Sequence, residues 1–261
     1  MNETAPIVRV FDDAAETYEN VGVGFFRPIG AALARAVAPR AGERVLDAGC
    51  GTGAVLFPTA DAIGHDGHVT GIDLAPGMVA RTAAAATGLT NISVRAGDAQ
   101  DPPFPPGSFD LITAGLVLFF LPDPPAALAA YRRLLKPSGR LGVSCFAQHD
   151  PRYPQAMKII SRFADAPPPP SKLHPIFDTA ASLQEAAVAA GFASASVREI
   201  EVHSDFRDAA HLYEWIGSHG GRQLVSKVPQ ARRAAAIATM AAEMPNPLDF
   251  STRIRIVIGL C

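Results

Sequence analysis

The sequence predicts an α/β protein in which a mostly parallel sheet is covered by helices on both faces. Short apolar runs alternate along the chain with longer segments whose apolar residues recur at helical spacing. A glycine-rich turn, Gly49-Cys50-Gly51-Thr52-Gly53, follows the first of these runs and leads into a helical segment. Of the 261 residues, 48% are hydrophobic, enough to fill one core and too many for a mainly disordered chain.

Each element has its own signal. Pro28 to Ala38 is predicted helical, with Pro28 in the first turn and Ile29, Leu33, Ala36 and Val37 on one face. Arg44 to Ala48 is the first strand, and a helix runs from the glycine turn to about Ile63. His68 to Leu74 is the second strand, followed by a helix over Pro76 to Thr87. Ile92 to Gly97 and Phe109 to Ala114 are the third and fourth strands, Pro124 to Leu135 a helix, and Gly139 to Phe146 the fifth strand. A helix over Ser182 to Ala190 stops at Gly191, which can take the left-handed conformation of a helix end. Strands then run from Ala193 to about Phe206 and from Thr252 to Leu260.

Two regions break the alternation. Gln148 to Ala180 contains the run Pro167 to Pro170, which removes backbone donors and favours extended geometry. It is expected to be an insertion outside the core, a lid after the fifth strand, with a short helix near Gln155 to Phe163. Arg207 to Pro247 reads as two helices. The expected organisation is one domain over 1–261: a cap segment (1–40), a cofactor-binding core (41–147), the lid (148–180) and the rest of the sheet (181–261), with 207–247 on the substrate side.

A formal net charge of −2 argues against a nucleic-acid partner. The start MNETAPIVRV has no leader pattern, and no apolar run reaches the length of a membrane span. Cys50, Cys145 and Cys261 show neither a CxxC pair nor metal-ligand spacing, so no metal and a reducing cytoplasm are expected. The sequence does not choose between monomer and homodimer.

The chemistry concentrates at Val45-Leu46-Asp47-Ala48-Gly49-Cys50-Gly51-Thr52-Gly53, an apolar strand, an acidic residue and three glycines at alternate positions. Glycine lets the backbone turn sharply and lets a ligand lie against it, and in open α/β sheets ligands bind at such strand ends. The bland alternative is a tight turn without ligand. Gly49, Gly51 and Ala54 also satisfy the dinucleotide pattern G-x-G-x-x-G/A. A dinucleotide, however, would bring a pyrophosphate close to the Asp47 carboxylate, and like charges repel. S-adenosylmethionine (SAM) has no phosphate and carries an ammonium and a sulfonium. Asp73, ending the second strand in Gly71-Ile72-Asp73-Leu74, is placed to accept both ribose hydroxyls, a role common to SAM and NAD sites; its bland alternative is a helix cap before Pro76.

In order along the chain, VLDAGCGTG, GIDLAPGMV, GDAQDPPFPPGSFDLI and LLKPSGRL resemble the class I SAM-dependent methyltransferases of the ubiquinone and menaquinone biosynthesis family. The likeness spans about Arg44 to Phe146, and FDDAAETYENVGVGFF is similar to related bacterial small-molecule methyltransferases. The resemblance implies a Rossmann-like seven-stranded sheet with an antiparallel last strand. It implies that Gly49, Gly51 and Gly53 line the methionine part of SAM, that Asp73 holds the ribose, and that Leu74 and Met78 lie by the adenosine. It places Asp98 and Ala99 at the adenine edge, and Ala114 and Gly115 close to the cofactor. Ser138 departs from the family's usual glycine, far from the cofactor.

The expected function is methyl transfer from SAM to an oxygen, nitrogen or carbon of a small organic acceptor, such as a specialised metabolite. The alternatives weighed are a non-methylating protein on the same fold and an NAD-dependent oxidoreductase, the latter disfavoured by Asp47. Methyl transfer needs a base only if the acceptor must lose a proton. His149, three residues past the fifth strand at the ligand edge, is the first candidate and Tyr18 the second. Phe25, Phe26, Phe119, Phe163, Phe177, Tyr213 and Trp215 are candidate walls, each also readable as core packing; Leu212, Trp215 and Ile216 have the spacing of a buried helical stripe.

Overall fold

The computed structural model describes residues 5–166 and 173–261. Its strands are β1 (Arg44–Ala48), β2 (His68–Asp73), β3 (Ile92–Ala96), β4 (Phe109–Gly115), β5 (Leu135–Gln148), β6 (Ser194–Phe206) and β7 (Leu248–Leu260). They form one sheet in the order β3-β2-β1-β4-β5-β7-β6. β1 to β5 are mutually parallel, and β7 is antiparallel to both β5 and β6. The chain steps outward from β1 to β3 and then returns to β4, so the strand order reverses between β1 and β4. A crevice opens at the carboxyl ends of strands at such a switch point.

The helices are α1 (Ala5–Ala14), α2 (Phe26–Val37), α3 (Leu56–Ile63), α4 (Pro76–Ala85), α5 (Pro124–Leu134), α6 (Arg152–Ser161), α7 (Ala180–Ala189), α8 (Ala209–Gly217), α9 (Arg222–Val225) and α10 (Gln230–Glu243). Successive strand residues point to opposite faces, so Val45 and Leu46 enter different cores. Val45, Val69 and Leu111 pack with Leu33 and Val37 of α2 and Leu56 of α3. Leu46, Ile112 and Leu141 pack with Leu128 and Tyr131 of α5 and Leu183 of α7. Burial on both faces is why β1 reads as a continuous apolar run. Gly30 lets α2 approach closely, since a Cβ there would stand 2.3 Å from the Ala54 carbonyl oxygen.

Side chains set several helix boundaries. Asp123 accepts the Ala126 N–H at 3.0 Å ahead of α5, and Thr179 accepts the Ser182 N–H at 3.0 Å ahead of α7. Gly191, at φ +98°, ends the α7 segment in the left-handed region.

A third core lies over the carboxyl edge of the sheet, where α6, α8 and α10 meet Phe25, Ile29 and the β6–β7 ribbon. It corrects three expectations. The segment after β5 joins the core, for Ala156 and Ile160 of α6 are fully buried; the proline run expected to keep it out lies outside the described residues. The region 207–247 contains three helices, because Gly217, Gly220 and Gly221 interrupt what read as one. The last strand starts at Leu248, four residues early, where Leu248, Phe250 and Thr252 are buried and Asp249 is exposed. The amphipathic α1 also forms where no helix was expected.

Candidate active site

The glycine turn is fastened to the neighbouring strand: the N–H groups of Gly49 and Cys50 both donate to the Ile72 carbonyl, at 2.8 and 2.9 Å. Gly49 has φ +70°, and a Cβ there would lie 2.4 Å from Val117 Cγ2, so conformation and space both demand glycine. Beside the turn, Asp47 is only 1% exposed. Its Oδ1 accepts the Thr113 hydroxyl at 2.7 Å, and its Oδ2 is buried with no partner among the described residues. Burial pushes the Asp47 carboxyl up from 3.8 to about 7, against the Thr113 hydrogen bond and with help from the Asp73 charge. Asp73 accepts Gly51 N–H and Ala75 N–H, each at 2.9 Å. Burial raises its pKa too, although these donors oppose it. Two carboxylates thus line one cavity, and no Lys or Arg lines it among the described residues.

The cavity has a volume of about 640 Å³ over the carboxyl edge of the sheet, within the usual range for small-molecule sites. Asp47, Gly49, Gly51, Asp73, Leu74 and Met78 line one end, joined by Ala99 and Gly115. Gly53, Asp98 and Ala114 sit one residue behind this wall. Gly53 is in the turn, its N–H bonded to Cys50 O at 2.8 Å. Asp98 accepts the Gln100 N–H at 2.8 Å, and Ala114 packs wholly into the α5 core. After Gly115 the chain turns through Leu116, a non-glycine residue at φ +53° whose N–H donates to Ser144. The turn brings Val117 and Phe119 to the cavity; strain of this kind concentrates at functional sites.

The N-terminal segment roofs the same end. Asp12 of α1 accepts Gly77 N–H at 2.6 Å, and Arg81 of α4 donates to the carbonyls of Ala15 and Glu16 at 3.0 and 2.9 Å. Tyr18 stacks on Phe26 at 4.6 Å and lines the cavity. Burial first, then the Glu19 and Asp73 carboxylates, raise the Tyr18 pKa far above its ordinary value, so the hydroxyl keeps its proton. His211 of α8 meets Val21 O at 2.7 Å, tying roof to helical wall.

The far end is aromatic. His149 stacks on Tyr153 at 5.1 Å and lies 4.3 Å from the Phe146 ring, and burial lowers its pKa. The next residue, Asp150, binds Arg152 at 2.7 and 2.8 Å, and Arg152 reaches Asp249 of β7 at 2.9 Å. This network fixes the start of α6 and with it the position of His149. A second histidine, His219, closes on Trp215 at 4.4 Å and on Phe26 at 5.4 Å. Burial lowers its pKa to about 4, helped by His149 and opposed by a backbone bond to Trp215. Both imidazoles line the cavity. Of the expected walls, Phe25, Phe26, Phe119 and Trp215 line it, whereas Phe163, Phe177 and Tyr213 pack elsewhere.

Thr113, His219 and Ser204 were not legible as site residues. Thr113 carried a signal, a polar residue inside the apolar run of β4 beside the strand that bears Asp47. His219 lies in a Ser-His-Gly-Gly stretch that reads as a solvated loop.

The electrostatics select the ligand. A pyrophosphate would add negative charge beside the buried Asp47 and half-buried Asp73 carboxylates, while SAM brings two cationic groups and the unpaired Asp47 oxygen a place for one. Fold and site together define a class I SAM-dependent methyltransferase. Residues 45–139 match the methyltransferase domain family. The chain is 39% identical over 257 residues to nocamycin O-methyltransferase of Saccharothrix syringae, covering 90% of this chain and 89% of that one. It is 36% identical over 124 residues to demethylmenaquinone methyltransferase of Listeria monocytogenes, 47% of this chain and 52% of that one. In fold it resembles Haemonchus contortus phosphoethanolamine N-methyltransferase 2, crystallised with S-adenosyl-L-methionine, at a TM-score of 0.58 and 16% identity over 95% of this chain and 57% of that one. The chain belongs to the SAM-dependent methyltransferase family and methylates a small molecule. No helix among the described residues is long and apolar enough to cross a membrane.

Proposed function

We propose that the protein O-methylates a flat, largely apolar acceptor bearing a weakly acidic hydroxyl, a phenol or an enol. The observation that carries this is the pair of histidines, His149 and His219, that line one aromatic-walled cavity continuous with the glycine turn, where desolvation lowers the pKa of both imidazoles. An amine in its neutral form or an ionised carboxylate needs no base; a phenol or enol does. The similarity to an O-methyltransferase over most of both chains supports the same reading.

SAM, when bound, supplies a methyl group activated by its positive sulfur and leaves as a neutral thioether. The chain's own residues do the rest. Asp47 offers its free Oδ2 to a cationic group, and Asp73 has lone pairs left for the ribose hydroxyls. Gly49 and Gly51 give the methionine part access to the backbone, and Leu74, Met78 and Ala99 flank the adenosine. We assign Gly53, Asp98 and Ala114 a supporting role behind the wall. A ring nitrogen of His149 takes the acceptor's proton; His219, the weaker base at about 4, holds the acceptor by hydrogen bonding. Tyr18, its proton retained, acts as roof and donor. With Phe11 and Phe120, in edge contact at 5.2 Å, it keeps water out. The three free cysteines support a reducing, cytoplasmic setting for the enzyme.

Methyl transfer from labelled SAM to matched phenols, anilines and activated carbon acids tests the reading. An aryl or enol ether is expected, with His149→Gln lowering kcat by about a hundredfold and leaving SAM affinity unchanged. Exclusive N- or C-methyl products, or a fully active His149→Gln enzyme, would overturn it.

A further inference from the structure

The cavity does not end at His149. β5 stops at Gln148, paired with Arg253, so residues 248–252 of β7 pair only with β6. The β6–β7 ribbon therefore overhangs the carboxyl edge of the parallel sheet. Ser204 on β6 lies opposite Phe250 on β7, and Val202 opposite Thr252. Ser204, Phe250 and Thr252 all line the cavity and are 5%, 2% and 6% exposed. The Ser204 hydroxyl is buried and has no partner among the described residues. Its cross-strand neighbour Phe250 and same-face neighbours Val202 and Phe206 are apolar, and a buried donor left unpaired is costly. Trp215 covers this face, 5.1 Å from Phe206.

We propose that the β6–β7 overhang forms a second acceptor subsite, in which Ser204 hydrogen-bonds a hydroxyl or carbonyl group remote from the atom that is methylated. The proposal rests on the acceptor reading above. Two strand spacings separate β5, which delivers His149, from β6, which carries Ser204. At ~4.8 Å each, that is roughly 10 Å. The acceptor is accordingly a rigid molecule of two or more aromatic rings with polar oxygens at both ends, one presented to His149 and the other to Ser204. Thr252 borders the same subsite, and Trp215 supplies its aromatic side.

Trp215 is the protein's single tryptophan, so its fluorescence reports entry into this end of the cavity. The probes are para,para′-dihydroxybiphenyl, whose oxygens match the span, and para-phenylphenol, which lacks the second one. Each is titrated into wild type and Ser204→Ala loaded with S-adenosylhomocysteine, and each is assayed for methylation with labelled SAM. In wild type the diol is expected to bind about fivefold tighter than the mono-ol. In Ser204→Ala that preference disappears while mono-ol and SAM affinities hold, which also reports an intact fold. Absence of quenching by either probe, equal binding of the two by wild type, or a preference that survives Ser204→Ala would overturn the subsite. The methylation arm separates the two readings. Quenching with the predicted preference but no ether product sinks the phenol reading and leaves the subsite standing. Ether formation from both probes without preference does the reverse.

Discussion

Replacing Asp47 by Asn keeps the shape of the side chain and removes its charge. In the folded protein without ligand, holding this carboxyl at about 7 instead of 3.8 costs the charged form about 4 kcal/mol. No solvent screens the group, which is only 1% exposed. A cation about 4 Å away returns ~4 kcal/mol at an effective dielectric of ~20, and the desolvation has already been met in folding. Net values for hydrogen bonds to charged groups are about 1.5–3 kcal/mol. Asp47→Asn is therefore expected to weaken SAM roughly ten- to hundredfold at pH 8, measured by calorimetry. The sign with pH follows from the raised pKa. Protonated Asp47 is tolerated in the cofactor-free fold, and the stability it lends is lost as pH climbs through about 7. Wild-type SAM affinity should rise from pH 6 to pH 8, by at most about tenfold per unit below the pKa. The Asn variant should show a flat profile and melt about 10 °C higher than wild type at pH 8 without ligand, with the gap about halved at pH 5.5 and closed near the ordinary carboxylate value of 3.8. Equal SAM affinity in the two proteins, or the same pH slope, would refute the charge argument.

Other outcomes follow from the same geometry. Asp73→Ala should weaken SAM roughly ten- to hundredfold in a folded protein, because the carboxylate serves the ribose and also ties down Gly51 and Ala75. Arg81→Ala removes the bonds that tie the segment just after α1 to α4, leaving the Asp12–Gly77 bond; SAM affinity should fall about tenfold and protease cleavage before Val21 should quicken, both readable on one gel and one titration. Arg152→Ala should lower kcat with little change in SAM affinity, since it frees the segment that holds His149. His219 has a depressed pKa, so the stability it lends is present above 6.5 and lost as pH falls toward 4. That loss is about 3 kcal/mol, and denaturant titrations should show it shrinking in His219→Gln.

The cofactor end was legible because its chemistry is local. Asp47, the glycines and Asp73 follow strand ends within one stretch, and backbone geometry forces their spacing. The acceptor end was legible only in part, through His149 and walls such as Phe25 and Trp215, because it is assembled from distant parts of the chain. His149, Ser204 and Trp215 come together only because the β6–β7 ribbon outruns β5 and three helices fold back over it. The start of β7 carried a period-two pattern in Leu248-Asp249-Phe250-Ser251-Thr252, but its polar half masked the strand. The insertion misled for a related reason. Prolines govern their own backbone, yet the helix before them, with Ala156, Ile159 and Ile160 on one face, follows its own periodicity into the core.

Methyl transfer removes one of the two charges that the site accommodates: the sulfonium becomes a neutral sulfur, and the ammonium stays. Asp47 has one free oxygen, so it can partner only one of these groups directly. If its partner is the ammonium, substrate and product forms lose equal affinity in Asp47→Asn, and their Kd ratio is unchanged. If its partner is the sulfonium, SAM alone weakens, and the wild-type preference for SAM over S-adenosylhomocysteine falls roughly tenfold in the variant. In the second case the buried carboxyl, held at about 7 when unpaired, takes up a proton as the methyl group leaves, and product release quickens as pH drops from 8 to 6. A pair of calorimetric titrations at each pH decides between the two, and a release rate independent of pH excludes the sulfonium as the partner.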